Sequence, residues 1–168
     1  MAIIEEIKAK MQVYKVKDIF AYTGVSDVLI AMRLVGYVIY KSLSIRYVTT
    51  RVNTYRMKLD FKTLGLSKVL YVYGTRELPD THVMRQLLQP GMVVADIGGN
   101  IGYYALLEAQ MVGKSGHVYV FEPDPRNIPL LKQNISLNAY SDRMTVSEQA
   151  VSDTVGDKEF QLAERTNT

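Results

Sequence analysis

Seven consecutive residues, Asp96-Ile97-Gly98-Gly99-Asn100-Ile101-Gly102, concentrate the chemistry of this chain. Gly98 and Gly99 remove the Cβ atoms that would hold a ligand away from backbone N–H groups. Gly102 lets a following helix pack close to the strand that leads into the loop. A second acid, Glu122, stands twenty residues after Gly102 within Phe121-Glu122-Pro123-Asp124-Pro125. Ligands of open α/β sheets bind at the carboxyl ends of the strands, where a carboxylate can accept both hydroxyl protons of a ribose. The plainer reading of Glu122 is a helix N-terminal charge ahead of two prolines.

The loop discriminates among nucleoside ligands. A dinucleotide fingerprint needs G-x-G-x-x-G, and aligning its last two glycines on Gly99 and Gly102 puts Ile97 where the first belongs. Asp96, at the root of the loop, is also a poor neighbour for a pyrophosphate. No Walker lysine follows, which argues against a nucleoside triphosphate. An acid-rooted loop suits a ligand with a cationic ammonium end and no phosphate, and S-adenosylmethionine has both features.

The elements that must position these residues alternate. Met92–Ile97 is an apolar run of buried-strand length, and Ile101–Val112 is a helix pattern ending at Gly113. His117–Glu122 reads as a second strand, Arg126–Asn138 as a second helix, Met144–Glu148 as a third strand and 158–162 as a short fourth. Strand–helix alternation with apolar strands implies a parallel sheet, buried on both faces, with right-handed crossovers. Upstream, 3–20 reads as a helix, and Ser26-Asp27 can cap another that runs to about Leu43. The period changes to two from Arg46, where two strands flank Asn53-Thr54 as a hairpin. Asp80 is read as the cap of a helix over Thr81–Leu88 that stops at Gln89-Pro90-Gly91.

Composition narrows the chemistry further. The 168 residues contain no cysteine, which excludes disulfide scaffolds, thiolate metal sites and cysteine nucleophiles. His82 and His117 have no partner at metal or triad spacing, so no metal is expected. The net charge of +3 divides unevenly: residues 1–90 hold 14 Lys+Arg against 7 Asp+Glu, whereas 91–168 hold 6 against 10. The basic half could face nucleic acid, an anionic membrane or an acidic substrate, or form a solvated surface. Val28–Tyr40 is apolar, but it is too short to span a bilayer and carries Arg33. The acids after Met1 do not fit a signal peptide, so a cytoplasmic location is expected. Asn134-Ile135-Ser136 matches a glycosylation sequon but falls within a helix pattern.

Asp96-Ile-Gly-Gly-Asn-Ile-Gly-Tyr-Tyr, Phe121-Glu-Pro-Asp-Pro-Arg-Asn and Gln149-Ala-Val-Ser-Asp together resemble the FkbM family of S-adenosylmethionine-dependent methyltransferases. Gly99 replaces that family's usual alanine, and Tyr73-Gly-Thr-Arg-Glu-Leu-Pro resembles its lead-in. The resemblance covers roughly residues 46–168 and implies an α/β, Rossmann-like class I methyltransferase fold with an incomplete parallel sheet, preceded by N-terminal helices and a small β-hairpin. The regions are then 1–45 (helical), 46–90 (hairpin and lead-in) and 91–168 (cofactor half). By resemblance, Asp96, Gly98, Asn100 and Gly102 line the methionine end of the cofactor, Gly99 belongs to the same cofactor-binding loop, Glu122 binds the ribose and Asp124 borders the adenosine. Gln149 either reaches the adenine amino group or is an ordinary loop amide. Tyr103 either stacks near the methionine or packs its helix. Glu77, with Arg76, either closes over the cofactor or forms a surface ion pair.

The resemblance implies methyl transfer from S-adenosylmethionine, usually to a hydroxyl of a small molecule or glycan, with nucleic acid not expected as a partner and peripheral membrane contact a secondary expectation. No catalytic base is assigned. A class I sheet is ordered 3-2-1-4-5-7-6, and this sequence reaches only the third strand and a short extra one. The first strand is therefore expected to stand as an edge, open to another chain, in a truncated enzyme. The competing reading is a non-catalytic binding or assembly module that uses the basic half for a partner.

Overall fold

The computed structural model describes residues 27–62, 65–157 and 159. The helix read over 3–20 lies outside these residues, as does the strand read over 158–162 apart from Glu159. Helix α1 (Asp27–Ser42) leads into an antiparallel ribbon of β1 (Tyr47–Val52) and β2 (Tyr55–Asp60), then α2 (Leu66–Tyr73) and α3 (Leu78–Leu87). Next come β3 (Val93–Ile97), α4 (Tyr103–Val112), β4 (His117–Phe121), α5 (Ile128–Leu137) and β5 (Met144–Ser147). Strands β3, β4 and β5 form a parallel sheet in that order, so the α/β architecture is as read from the alternation.

The expected burial of both sheet faces does not hold among the described residues. Two right-handed crossovers that step the same way across a sheet put both helices on one face. Val118 and Val120 are accordingly buried, while Tyr119, between them, points to the open side. Among the described residues strand β3 pairs only with β4, and its Val93 and Ile97 are 69% and 65% exposed.

Helix α4 is apolar nearly all round, with Ala105, Leu106, Leu107, Ala109 and Val112 buried. Such a helix needs cover on every side. The sheet covers one side and the β1–β2 ribbon another: Tyr55 Oη donates to Tyr103 O at 2.7 Å, and Thr54 Oγ1 donates to Gln110 Oε1. Phe61, at the end of the ribbon, meets Tyr37 of α1 and Tyr71 of α2 edge-on, with ring centroids 5.0 and 5.2 Å away.

The free edge of β2 is closed by side chains. Residues 55, 57 and 59 turn their backbone groups toward β1, leaving those of Arg56 and Lys58 facing α5. Asn138 Oδ1 accepts from Arg56 N at 2.9 Å and its Nδ2 donates to Arg56 O at 2.8 Å. One helical turn earlier, Asn134 Oδ1 accepts from Lys58 N at 2.7 Å and its Nδ2 donates to Lys58 O at 3.2 Å. The two amides, four residues apart on one helical face, replace a third strand. The same Asn134 Nδ2 also donates to Ile101 O at 2.8 Å. The sequon asparagine is thus fully buried.

Helix α2 does not emerge from the sequence pattern, since Val69, Leu70, Tyr71, Val72 and Tyr73 are mostly residues that favour strands. Helix α3 starts at Leu78, three residues before its expected start, with Pro79 in the first turn, where its missing N–H has no helical partner to lose. Asp80 therefore lies inside that turn, and Glu77 takes the cap position at φ +47°.

Asn134→Ala should destabilise the chain by about 2–4 kcal/mol, because it strands a buried N–H and two carbonyls. Asn138→Ala, at a partly exposed site, should cost ~1 kcal/mol. Urea unfolding of the three proteins checks this, and equal costs would contradict the assignment of Asn134 as the central tie.

Candidate cofactor-binding site

The loop from Ile97 to Tyr103 crosses the carboxyl ends of β3 and β4 and satisfies its own donors. Gly98 N and Gly99 N both donate to Phe121 O, at 2.8 and 3.1 Å. Asn100 N donates to Glu122 Oε2 at 2.7 Å, Ile101 N to Asn100 Oδ1 and Gly102 N to Gly99 O. A phosphate-binding loop needs free N–H groups converging on its ligand, and none of these five is free. The loop therefore does not offer its glycine N–H groups to a ligand, as read from sequence; what it offers is space and negative charge.

The glycines divide that work. Gly98 sits at φ +88° with nothing within 4 Å of where a Cβ would stand, so it leaves an open shelf. A Cβ on Gly99 would fall 2.1 Å from Val120 Cγ1, so this glycine serves packing against β4, and Val120 occupies the volume an alanine methyl would need. Gly102, at φ +95°, would place a Cβ 2.9 Å from Leu131 Cδ1 of α5. Asn100 takes φ +49°, a region that asparagine tolerates.

Two acids stand at the root. Glu122 is buried; its Oε1 accepts from Asp124 N at 2.8 Å and from Asn127 Nδ2 at 3.3 Å, and its Oε2 accepts from Asn100 N. One lone pair remains on Oε2. Asp96 points from β3 toward α4, and its Oδ2 is buried without a hydrogen-bond partner. Burial, and then the charge of Glu122, push the Asp96 carboxyl up to about 6.

Glu108 of α4 completes the cluster. It is 7% exposed, its Oε2 has no hydrogen-bond partner, and burial followed by the charge of Asp96 pushes it up to about 8. Sequence reasoning missed this residue. Its signal is an acid in the centre of Tyr-Tyr-Ala-Leu-Leu-Glu-Ala-Gln-Met-Val, a helix otherwise without charge.

The remaining predicted residues are held by local contacts. Tyr103 is buried; its Oη accepts from Arg76 N at 2.9 Å and donates to Arg76 O at 2.6 Å, which clamps the lead-in segment to the first turn of α4. Glu77 accepts from Tyr104 Oη and pairs with Arg76 at 2.6 Å. Asp124 is held by Arg126, whose Nη2 lies 2.7 Å from Oδ2. Gln149 is exposed just beyond β5, where its Oε1 accepts from Ser147 Oγ at 3.2 Å.

The family model of the TRM5/TYW2 methyltransferase domain matches residues 49–165. This chain belongs to that family. The FkbM assignment is corrected accordingly, while the class I methyltransferase fold and S-adenosylmethionine as cofactor stand. The glycine loop and Glu122, on which the FkbM resemblance rested, do not by themselves separate one methyltransferase family from another. Over 53 residues the chain is 40% identical to the protein-L-isoaspartate O-methyltransferase of Methanothrix thermoacetophila, covering 32% of this chain and 25% of that protein. The chain spans about a quarter of the length of the curated relatives it matches. The solved P. horikoshii TYW2 in complex with MeSAdo shares the fold with a TM-score of 0.53 at 21% identity, covering 74% of this chain and 50% of that one. The solved complex of aTrm5 and tRNALeu is 21% identical at a TM-score of 0.47, covering 61% and 28%. The expectation that nucleic acid is not a partner is overturned by membership of the TRM5/TYW2 family. No helix among the described residues is long and apolar enough to cross a membrane.

The residues fit S-adenosylmethionine. The open shelf at Gly98, a buried carboxylate oxygen without a partner and the absence of free loop N–H groups suit a cationic ligand without phosphate.

Two outcomes follow. Gly99→Ala should destabilise by about 1–3 kcal/mol through overpacking, and Val120→Ala in the same chain should recover part of that loss; additive costs in a thermal double-mutant cycle would contradict the contact. Asp96 and Glu108 keep protons in the folded chain that the unfolded chain has released, so stability should fall as pH rises from about 4 to about 8. Glu108→Gln should flatten most of that slope and stabilise the chain at pH 8 by on the order of 2 kcal/mol, read from melting curves at pH 5 and pH 8.

Proposed function

We propose that this chain is the cofactor-binding portion of an S-adenosylmethionine-dependent methyltransferase whose acceptor is a tRNA. The observation that carries the reading is a coincidence of extent. The family match over 49–165 takes in the ribbon, the lead-in and the acid-rooted loop, which the structure ties into one unit. The acceptor class rests on family membership, since Trm5 has been solved with tRNALeu.

In this reading Asp96 faces the ammonium end of the cofactor, and the remaining lone pair of Glu122 Oε2 takes a ribose hydroxyl. Gly98 provides the shelf along which the ligand lies. Asn100 and Gly102 hold the loop, and Gly99 sets its seat on β4. Tyr103, Arg76 and Glu77 fix the wall beside the loop, while Asp124 and Gln149 border the adenosine. S-adenosylmethionine supplies an electrophilic methyl group on a sulfonium sulfur. The chain contributes by orienting that group and by keeping negative charge near the cation; positioning of this kind supplies much of the rate in an in-line displacement.

Isothermal titration with S-adenosylhomocysteine tests the cofactor reading. Binding is expected, with Asp96→Asn and Glu122→Gln each weakening it about tenfold or more, roughly one charge-assisted hydrogen bond. No binding by the folded chain at millimolar ligand would sink it. The acceptor reading is checked separately by fluorescence anisotropy with a labelled tRNA transcript, and failure to bind tRNA at low salt would refute it.

A further inference from the structure

The outer face of the β1–β2 ribbon carries charges that the fold does not explain. In the register, Arg51 stands opposite Arg56, Thr49 opposite Lys58 and Tyr47 opposite Asp60. The opposite face, with Val52, Tyr55, Met57 and Leu59, is buried. Because Arg56 turns its backbone N–H and C=O to Asn138, Arg51 and Arg56 form a non-hydrogen-bonded pair, the kind in which cross-strand side chains come closest. Like charges directly opposite on a ribbon are destabilising. Both arginines are exposed, and neither guanidinium bonds or pairs with a described residue. The one acid on this face, Asp60, is buried and engaged by Arg46 at 3.0 Å. Lys58 and Arg46 both stack on Tyr47, 4.6 and 4.8 Å from its ring centroid, which caps its aromatic surface with cations.

The ribbon is anchored beside the cofactor loop. Asn53 N donates to Gly74 O at 2.7 Å, Asn53 Nδ2 to Tyr103 Oη at 3.4 Å and Tyr55 Oη to Tyr103 O. Arg51 and Arg56 flank this turn, so the unneutralised pair sits at the ribbon end fastened to the first turn of α4.

We propose that this face, centred on Arg51 and Arg56, contacts the sugar–phosphate backbone of the RNA acceptor. The inference rests on the tRNA reading above and adds the surface that holds the polyanion. Two forked guanidiniums on directly opposed residues, neither paired with a carboxylate among the described residues, match phosphate oxygens. A membrane surface is the weaker fit, because interfacial binding needs apolar side chains to insert and the only large apolar group on this face is the cation-capped Tyr47.

The test uses the 168-residue chain with a labelled tRNA transcript and, in parallel, vesicles containing phosphatidylserine. Arg51→Gln with Arg56→Gln should weaken tRNA binding about tenfold or more and lower the slope of log affinity against log salt by about 1–2, as expected for one or two lost phosphate contacts. S-adenosylhomocysteine affinity should be unchanged and the melting temperature unchanged or higher, since a repulsion is removed. Wild-type tRNA affinity and salt slope in the double variant would overturn the surface while leaving the acceptor reading intact. Absence of tRNA binding by the wild-type chain would overturn both. Vesicle binding that the same substitutions abolish, with tRNA binding unaltered, would assign the face to lipid and overturn the proposal. A marked fall in melting temperature would make the arginines structural and likewise overturn it.

Discussion

The amide of Asn134 is the contact on which the arrangement depends. Fully buried on α5, it accepts from Lys58 N and donates to Lys58 O and Ile101 O. One side chain thereby joins the ribbon, the second crossover helix and the cofactor loop. An amide in a dry site must satisfy every polar atom it meets or leave a costly orphan. The ribbon therefore cannot slide along α5 by one residue without exposing its own edge, and Asn138 repeats the constraint a turn later. The loop inherits this rigidity through Ile101, and α4 gains its outer cover because the ribbon is held in place.

With the loop held, its electrostatics follow. Every N–H from Gly98 to Gly102 finds an acceptor within the chain, so the usual attraction of such loops for phosphate is absent. Buried carboxyls take its place, and burial raises Asp96 and Glu108 above their ordinary range. That arrangement costs stability wherever these acids ionise. A cation near Asp96 would offset the cost, which is a physical reason for such a site to prefer a sulfonium and ammonium ligand to a phosphorylated one. The same features that make the site poorly solvated make its charge effective, since low local dielectric strengthens both the penalty and the attraction.

The parts legible in the sequence were those with local causes. Alternating apolar runs gave the strand and helix order, Asn53-Thr54 marked the hairpin turn, and the acid at the root of a glycine-rich loop excluded a dinucleotide. What escaped depends on contacts between distant residues. Helix α2 forms from strand-favouring residues because Leu70 and Val72 are buried there. Gly99 looks like a ligand-side glycine until Val120, on a different strand, is seen to fill its Cβ position. Glu108 lies in an apolar helix, and its meaning depends on Asp96 facing it. The FkbM assignment failed for a related reason: it rested on the loop motifs, and the basic ribbon face takes shape only once the register sets Arg51 against Arg56.

The uneven charge of the chain thus becomes spatial. Three acids, Asp96, Glu108 and Glu122, gather beneath the loop, the last two buried, while arginines without an ion-pair partner among the described residues line a ribbon face bound to the same helix. On the proposed reading, a cationic cofactor and a polyanionic acceptor make opposite electrostatic demands, and a single patch could not meet both. Acids beneath the loop and arginines on the outer face of the ribbon meet each demand without mutual neutralisation. Had the ribbon arginines reached the loop, ion pairs with Asp96 and Glu122 would have cancelled both surfaces. Asn134 and the Tyr55–Tyr103 contact hold ribbon and loop side by side through neutral hydrogen bonds, so the join itself adds no charge to either field.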